Sequence, residues 1–339
     1  MRSALATSAL IMATLSLGFA APAAALTRLV DDGLVPCAGG GLPIHATIGA
    51  AVAAAAPGET IGVCPGTYPE SVTINKAGLV LQAVGLAKVV NPGAAVNGLI
   101  VNADNVTVQG FDVSGFTAFD GCAIVAARAD GDVRNNKVHD NTFGICVQFA
   151  DGTRVRNNLV EKNSQDAVFA SAFDSAEVFS NTLRNNGGYG IRVLNCDRPL
   201  GVVPTEVHHN SVIGNGSDGI NADACPAIIA NNTLRDNAKS GPTFHGIHVV
   251  DSENAAVTRN NVQGSNIGIL VDDAVGTAVS FNSATFNTVG IDLVHADAAT
   301  LSRNNVSRNT LVDCRWDQLG VNTFTANSCG TEVPAGAWD

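Results

Sequence analysis

The sequence predicts an all-β chain wound as a parallel β-helix, and three observations carry that prediction. First, the phrase apolar-x-x-Asn-x-apolar recurs at Val133/Asn136/Val138, Val155/Asn158/Val160, Val178/Asn181/Leu183, Val207/Asn210/Val212, Ile229/Asn232/Leu234, Val257/Asn260/Val262, Val279/Asn282/Ala284 and Leu301/Asn304/Val306, in steps of 22, 23, 29, 22, 28, 22 and 22 residues. Second, a Gly-apolar pair rides at the same period, as in Gly144-Ile145, Gly190-Ile191, Gly219-Ile220, Gly246-Ile247, Gly268-Ile269 and Gly290-Ile291, with Gly121-Cys122 and Ala167-Val168 in the same series. Third, runs such as "GIHVV", "GILVD" and "GIDLV" alternate β-branched with polar residues and are separated by Gly, Asn and Asp, the signal of short strands between turns. A period near 22 also occurs in leucine-rich repeats, but those need several leucines per unit where this chain has Val, Ile and Gly. Each unit therefore reads as one coil, with successive coils stacked at roughly 4.8 Å.

Taken in order, residues 1–25 begin with Arg2, run apolar from Ala4 to Phe19 and end on Ala23-Ala24-Ala25, the pattern of a cleaved secretory signal. Residues 26–44 form an N-terminal extension. The stretch "ATIGAAVAAAAPGETIGVCPGTYPESVTINKAGLVLQAVG" at 46–85 predicts a short helix and then the first coil. A helix there has a physical purpose, because an open β-helix end exposes unpaired strand edges and core. About ten coils fill 45–330, and 331–339 is left as a tail. At each bend the backbone can require φ > 0, which Asn tolerates better than other non-glycine residues. Asn136, Asn158, Asn181, Asn210, Asn232, Asn260, Asn282 and Asn304 are thus expected to stack as a structural amide ladder.

Eight cysteines in an exported chain point to disulfides. Cys196 and Cys225 each lie six residues after their Gly, so they should stack one coil apart. Cys37 with Cys64 would tie the N-terminal cap and Cys314 with Cys329 the C-terminal end. Cys122 with Cys146 is the less regular pair, since they fall one and two residues after Gly121 and Gly144. No CxxC pair exists, so cysteine-bound zinc is not expected, and no metal site is assigned. The net charge of −11 lacks the basic field that nucleic-acid binding requires. An acidic glycan would need a local cation, either Arg or bound Ca²⁺. The expected product is a monomer, secreted or periplasmic, with no membrane segment once the signal is removed.

Over about residues 45–330 the chain resembles the right-handed parallel β-helix proteins of the pectin-lyase-like group, above all in the cap-and-first-coil stretch at 46–85 with its "PGTY". The resemblance implies right-handed coiling, in line with the general hand of parallel crossovers, and polysaccharide as the partner. Methionine occurs only at Met1 and Met12, which counts against the copper-handling periplasmic relatives of this fold.

The repeat alignment also predicts neighbours on the outer face. In the strand after each Gly, the +1 and +3 residues are apolar and face the core, so the +2 and +4 residues face out. The +2 row reads Cys146, Phe169, Arg192, Asn221, His248, Leu270, Asp292, and the +4 row Gln148, Ser171, Leu194, Asp223, Val250, Asp272, Val294. Arg192, Asp223, His248, Asp272 and Asp292 are the candidate catalytic residues, with Phe169 and Asn221 as substrate contacts. The long repeats carry their extra residues at 197–206 and 236–244, as walls beside this strip. A hydrolase could use Asp223 and Asp272, two coils apart. A lyase or epimerase could use Arg192 or His248 with Ca²⁺ on the aspartates. The pectate lyase vWiDH and RxPxxR patterns, the polygalacturonase NTD, DD and GHG set and the alginate epimerase DPHD are not found. A non-catalytic glycan-binding or scaffold protein is therefore the alternative to a polysaccharide lyase, hydrolase or epimerase.

Overall fold

Strands of two to six residues alternate with sharp bends, and the bends fall where the sequence places Asn, Asp and Gly. The computed structural model describes residues 25–33, 37, 41–171, 175–196 and 204–338, so the signal segment and the insert at 197–203 lie outside the described residues. The strands form three parallel sheets of 14, 12 and 12 strands, each strand pairing with its equivalent one coil away. The result is a right-handed parallel β-helix of about eleven turns, one more than the repeat count suggests.

Alternation fills the interior. Val155, Val178, Val207, Ile229, Val257 and Val279 stack from the first sheet, Val160, Leu183, Val212, Leu234 and Val262 from the second, and Ile191, Ile220, Ile247, Ile269 and Ile291 from the third, all essentially inaccessible. The register is continuous from coil to coil: Val155 pairs with Val178, Val178 with Val207, and Ile220 with Ile247. Burial of these rows supplies the main favourable term.

At the bend between the first two sheets, Asn136, Asn158, Asn181, Asn210, Asn232, Asn260 and Asn282 each donate from Nδ2 to Oδ1 of the next Asn at 3.0–3.1 Å, the last to Asn304. Each Nδ2 also reaches a backbone carbonyl of an adjacent coil, as Asn181 does to Val155 O at 2.8 Å. The left-handed backbone belongs to the preceding residue instead: Asn135, Asn157, Ser180, His209, Asn231, Arg259, Phe281 and Arg303 all have φ of 54–56°. That residue turns the corner, and the turn swings the ladder amide inward. A second ladder runs five residues on, through Asn141, Asn163, Asn186, Asn215 and Asn237 at 2.9–3.0 Å.

Both ends are closed. The helix Ile48–Ala54 starts at Thr47, whose side chain accepts from Ala50 N, and buries Ile48, Ala51 and Val52. The Glu70 carboxylate accepts from Ile48 N and Gly49 N at 2.8 and 2.9 Å, satisfying helix-start donors. At the other end Trp338 is fully buried against Phe324, with ring centroids 4.6 Å apart, so the segment after 330 closes the last coil.

Four disulfides join Cys37–Cys64, Cys122–Cys146, Cys196–Cys225 and Cys314–Cys329, with Cα separations of 5.8, 6.1, 4.7 and 5.9 Å. The second explains its odd spacing. Ile124 pairs with Ile145, so Ala123, not Gly121, stands opposite Gly144, and Cys122 sits beside Phe143. The alignment over this coil is displaced by two residues, which preserves the pleat but moves Cys122 to the start of the strand.

Candidate functional site on the third sheet

The glycine row decides which side chains reach the outer face. A Cβ on Gly144, Gly190, Gly246 or Gly290 would lie 2.2–2.5 Å from a Val Cγ1 of the second sheet and 2.4–2.5 Å from a carbonyl of the next coil. These glycines therefore point inward, and so does the residue after each of them. Two consecutive inward positions break strict alternation, and the residue immediately before the Gly faces outward.

That extra row carries Asp166, Tyr189, Asp218 and His245. The coils hold it in line, with Ala167 N donating to Tyr189 O, Gly190 N to Asp218 O and Gly219 N to His245 O. The +2 row lies beside it: Phe169 pairs with Arg192, Arg192 with Asn221, Asn221 with His248, His248 with Leu270 and Leu270 with Asp292. In the +4 row Asp223 pairs with Val250 and Val250 with Asp272. The sequence signal for the extra row was the residue preceding each repeat glycine; strict alternation hid it.

Around the middle of this strip the contacts converge. Asp218, 1% exposed, accepts the His245 backbone N–H at Oδ1, and its Oδ2 lies 3.2 Å from His248 Nδ1 and 3.4 Å from Asn221 Nδ2. His248 Nε2 lies 4.0 Å from Asp272 Oδ2, and an Arg192 terminal nitrogen lies 4.0 Å from Asp223 Oδ2. The Arg192 guanidinium sits 5.1 Å over the Tyr189 ring, whose other neighbour is Phe244 from the 236–244 insert, edge-on at 6.1 Å. Burial pushes the Asp166 carboxyl up to about 6, opposed by the Tyr189 N–H it accepts and by Arg192. Burial pushes the His245 imidazole down to about 4, against the pull of Asp218. Tyr189 is raised by burial and then by Asp218, and Asp272 by burial and then by Asp273.

Two candidate residues stand apart from this cluster. Asp292 is 1% exposed and both its oxygens accept from the Arg315 guanidinium, so its carboxylate is engaged in a structural pair. Phe169 tilts against Phe143 at 6.0 Å in an outer apolar patch with Cys122, Val125 and Cys146, below Arg192. A concavity of about 310 Å³ lies elsewhere, on the first sheet, lined by Gly152, Arg154, Glu177 and Glu206. The convergence of buried ionisable groups, which volume does not report, places the candidate site on the third sheet.

Comparison with known proteins agrees with the architecture. The right-handed β-helix region model matches residues 93–234, and the model of the periplasmic copper-binding protein NosD matches residues 203–335. No curated protein sequence matches the chain. Among solved structures, the catalytic unit of an α-1,3-glucanase from Streptomyces thermodiastaticus is 15% identical, with 94% of this chain and 71% of that chain covered and a TM-score of 0.59. The mannuronan C-5 epimerase AlgE6 A-module of Azotobacter vinelandii is 14% identical, covering 82% and 92% with a TM-score of 0.55. The corresponding AlgE4 A-module is 12% identical, covering 85% and 93% with a TM-score of 0.53. The chain thus has the fold of a right-handed parallel β-helix repeat protein. Its four disulfides fit an oxidising compartment. No helix among the described residues is long and apolar enough to cross a membrane.

Proposed function

We propose that the third-sheet strip acts on an acidic polysaccharide by proton transfer at the sugar ring or glycosidic bond. One observation carries the reading: a buried carboxyl held near pH 6, Asp166, and an oriented Asp218/His248 pair lie on the same outer face with Arg192 between them. A proton donor, a cation and a proton acceptor in line are the parts that elimination or epimerisation beside a carboxylate requires. Arg192 would hold the sugar carboxylate and acidify the neighbouring C–H. Asp166 would give the proton, Asp218/His248 would take one, and Tyr189 and Phe169 would offer ring faces to the sugars. Coil spacing of roughly 4.8 Å suits an extended glycan laid along the axis. Two mannuronan C-5 epimerase modules and an α-1,3-glucanase share this fold, which supports polysaccharide as the substrate class.

Copper binding, the property in the name of the model matching residues 203–335, finds little support for copper(I) in the ligand types present. Only two methionines occur in the sequence, and the cysteines are all in disulfides, whereas copper(I) favours soft sulfur ligands.

The test is incubation with alginate, polygalacturonate and neutral glucans, reading unsaturated-product absorbance, reducing ends and deuterium uptake at C5. The expected result is product or deuterium uptake from a uronate polymer, reduced at least tenfold in Arg192→Ala and in Asp166→Asn. Reducing ends from neutral glucan alone would replace the uronate reading with hydrolysis. Neither product nor retention on any glycan would overturn it.

A further inference from the structure

Asp218, His245 and His248 each offer a ligand atom within 4.8 Å of the other two. Their surroundings do not satisfy them. His245 is 6% exposed, yet its Nδ1 is buried without a hydrogen-bond partner among the described residues. Asn221 is 4% exposed, and its Oδ1 is buried and unpartnered in the same way. Polar atoms so placed are costly unless something else completes them.

The geometry suits an ion. Ligand bonds of about 2.0–2.1 Å at tetrahedral angles separate ligand atoms by roughly 3.3 Å, and Asp218 Oδ2 lies 3.2 Å from His248 Nδ1. The His245 and His248 rings are 5.2 Å apart and 85° inclined, so they do not stack on each other. On the far side of the His248 ring, Nε2 is also buried without a hydrogen-bond partner among the described residues, with Asp272 Oδ2 4.0 Å away. The His245 N–H on Asp218 Oδ1 fixes the carboxylate, so that Oδ2, which also accepts from Asn221 Nδ2 at 3.4 Å, is directed at His248 Nδ1.

We propose that Asp218, His245 and His248 bind a divalent first-row transition ion, with Asn221 Oδ1 beside the remaining position. Two imidazoles and one carboxylate match Zn²⁺ and its neighbours, whereas Ca²⁺ takes six to eight oxygens. The ion would stand at the proton-accepting end of the strip, where it would supply a bound hydroxide to take the proton in place of a bare imidazole. That chemical role rests on the polysaccharide reading; the binding does not.

The experiment uses chelator-treated, disulfide-intact protein dialysed against Zn²⁺ without glycan, with bound metal read by mass spectrometry and folding by circular dichroism. One equivalent is expected, with affinity lowered at least tenfold in both His245→Ala and Asp218→Asn and unchanged in His208→Ala, which removes the imidazole beside Glu177 on the first sheet. Failure to retain Zn²⁺, or folded His245→Ala that binds as the parent does, overturns the assignment. So does loss of binding in His208→Ala alone, which would move the ion to the first sheet. Stoichiometric Zn²⁺ on a protein inert towards every glycan would uphold the site and sink only the polysaccharide reading.

Discussion

Replacing Asp166 by Asn separates the demands of folding from those of chemistry. The carboxyl is 4% exposed and is raised from 3.8 to about 6, chiefly by burial. For a carboxyl raised in the folded state, the stability contribution is fully present below the unfolded value and is lost as pH climbs through the folded one. The window here is pH 3.8 to about 6. At roughly 1.36 kcal/mol per pH unit, the loss by pH 7 is about 3 kcal/mol. Asn keeps the oxygen that accepts Tyr189 N–H at 2.8 Å and cannot ionise. Denaturation of the oxidised protein should therefore show Asp166→Asn gaining on the parent by about 2 kcal/mol between pH 4 and pH 7. Turnover of a uronate polymer should fall in the same variant. A stability difference independent of pH would refute the burial argument, and unchanged turnover would remove Asp166 from the chemistry.

Three further outcomes follow from the packing. Asn181→Ala strands the Asn158 N–H and Nδ2 donors and the Val155 carbonyl, and should cost about 1–3 kcal/mol with a lowered thermal midpoint. Arg315→Ala leaves Asp292 charged, buried and unpaired, and should cost about 3–5 kcal/mol at pH 7, with a smaller loss in the double variant Arg315→Ala, Asp292→Asn, read by denaturant midpoints. Trp338→Ala opens the last coil and should cost about 3–5 kcal/mol with increased dye binding to exposed apolar surface; unchanged dye binding and stability would mean that the C-terminal segment does not act as a cap.

What the chain determines by itself is whatever repeats. A period that returns Asn, Gly and β-branched residues to the same places dictates stacked coils, because only equivalent strands side by side let every coil bury the same row. Neighbours along a row are legible for the same reason: the sequence alone orders Arg192, Asn221 and His248, and the pairing of those strands has that order. The tertiary structure decided where the period says nothing or where alternation fails. A Cβ at Gly246 would collide with Val262 of another sheet, and that collision, invisible along one strand, turns His245 outward beside His248. Asp292 looked as available as Asp272 until Arg315, one coil on, took both its oxygens. The ladder asparagines were read as the residues at φ > 0, whereas each bend is made by the residue before, which lets the amide point into the solenoid. Sequence periodicity specifies which residues are equivalent; the direction and availability of each side chain depend on steric and electrostatic contacts with residues of other strands, such as Val262 for Gly246 and Arg315 for Asp292.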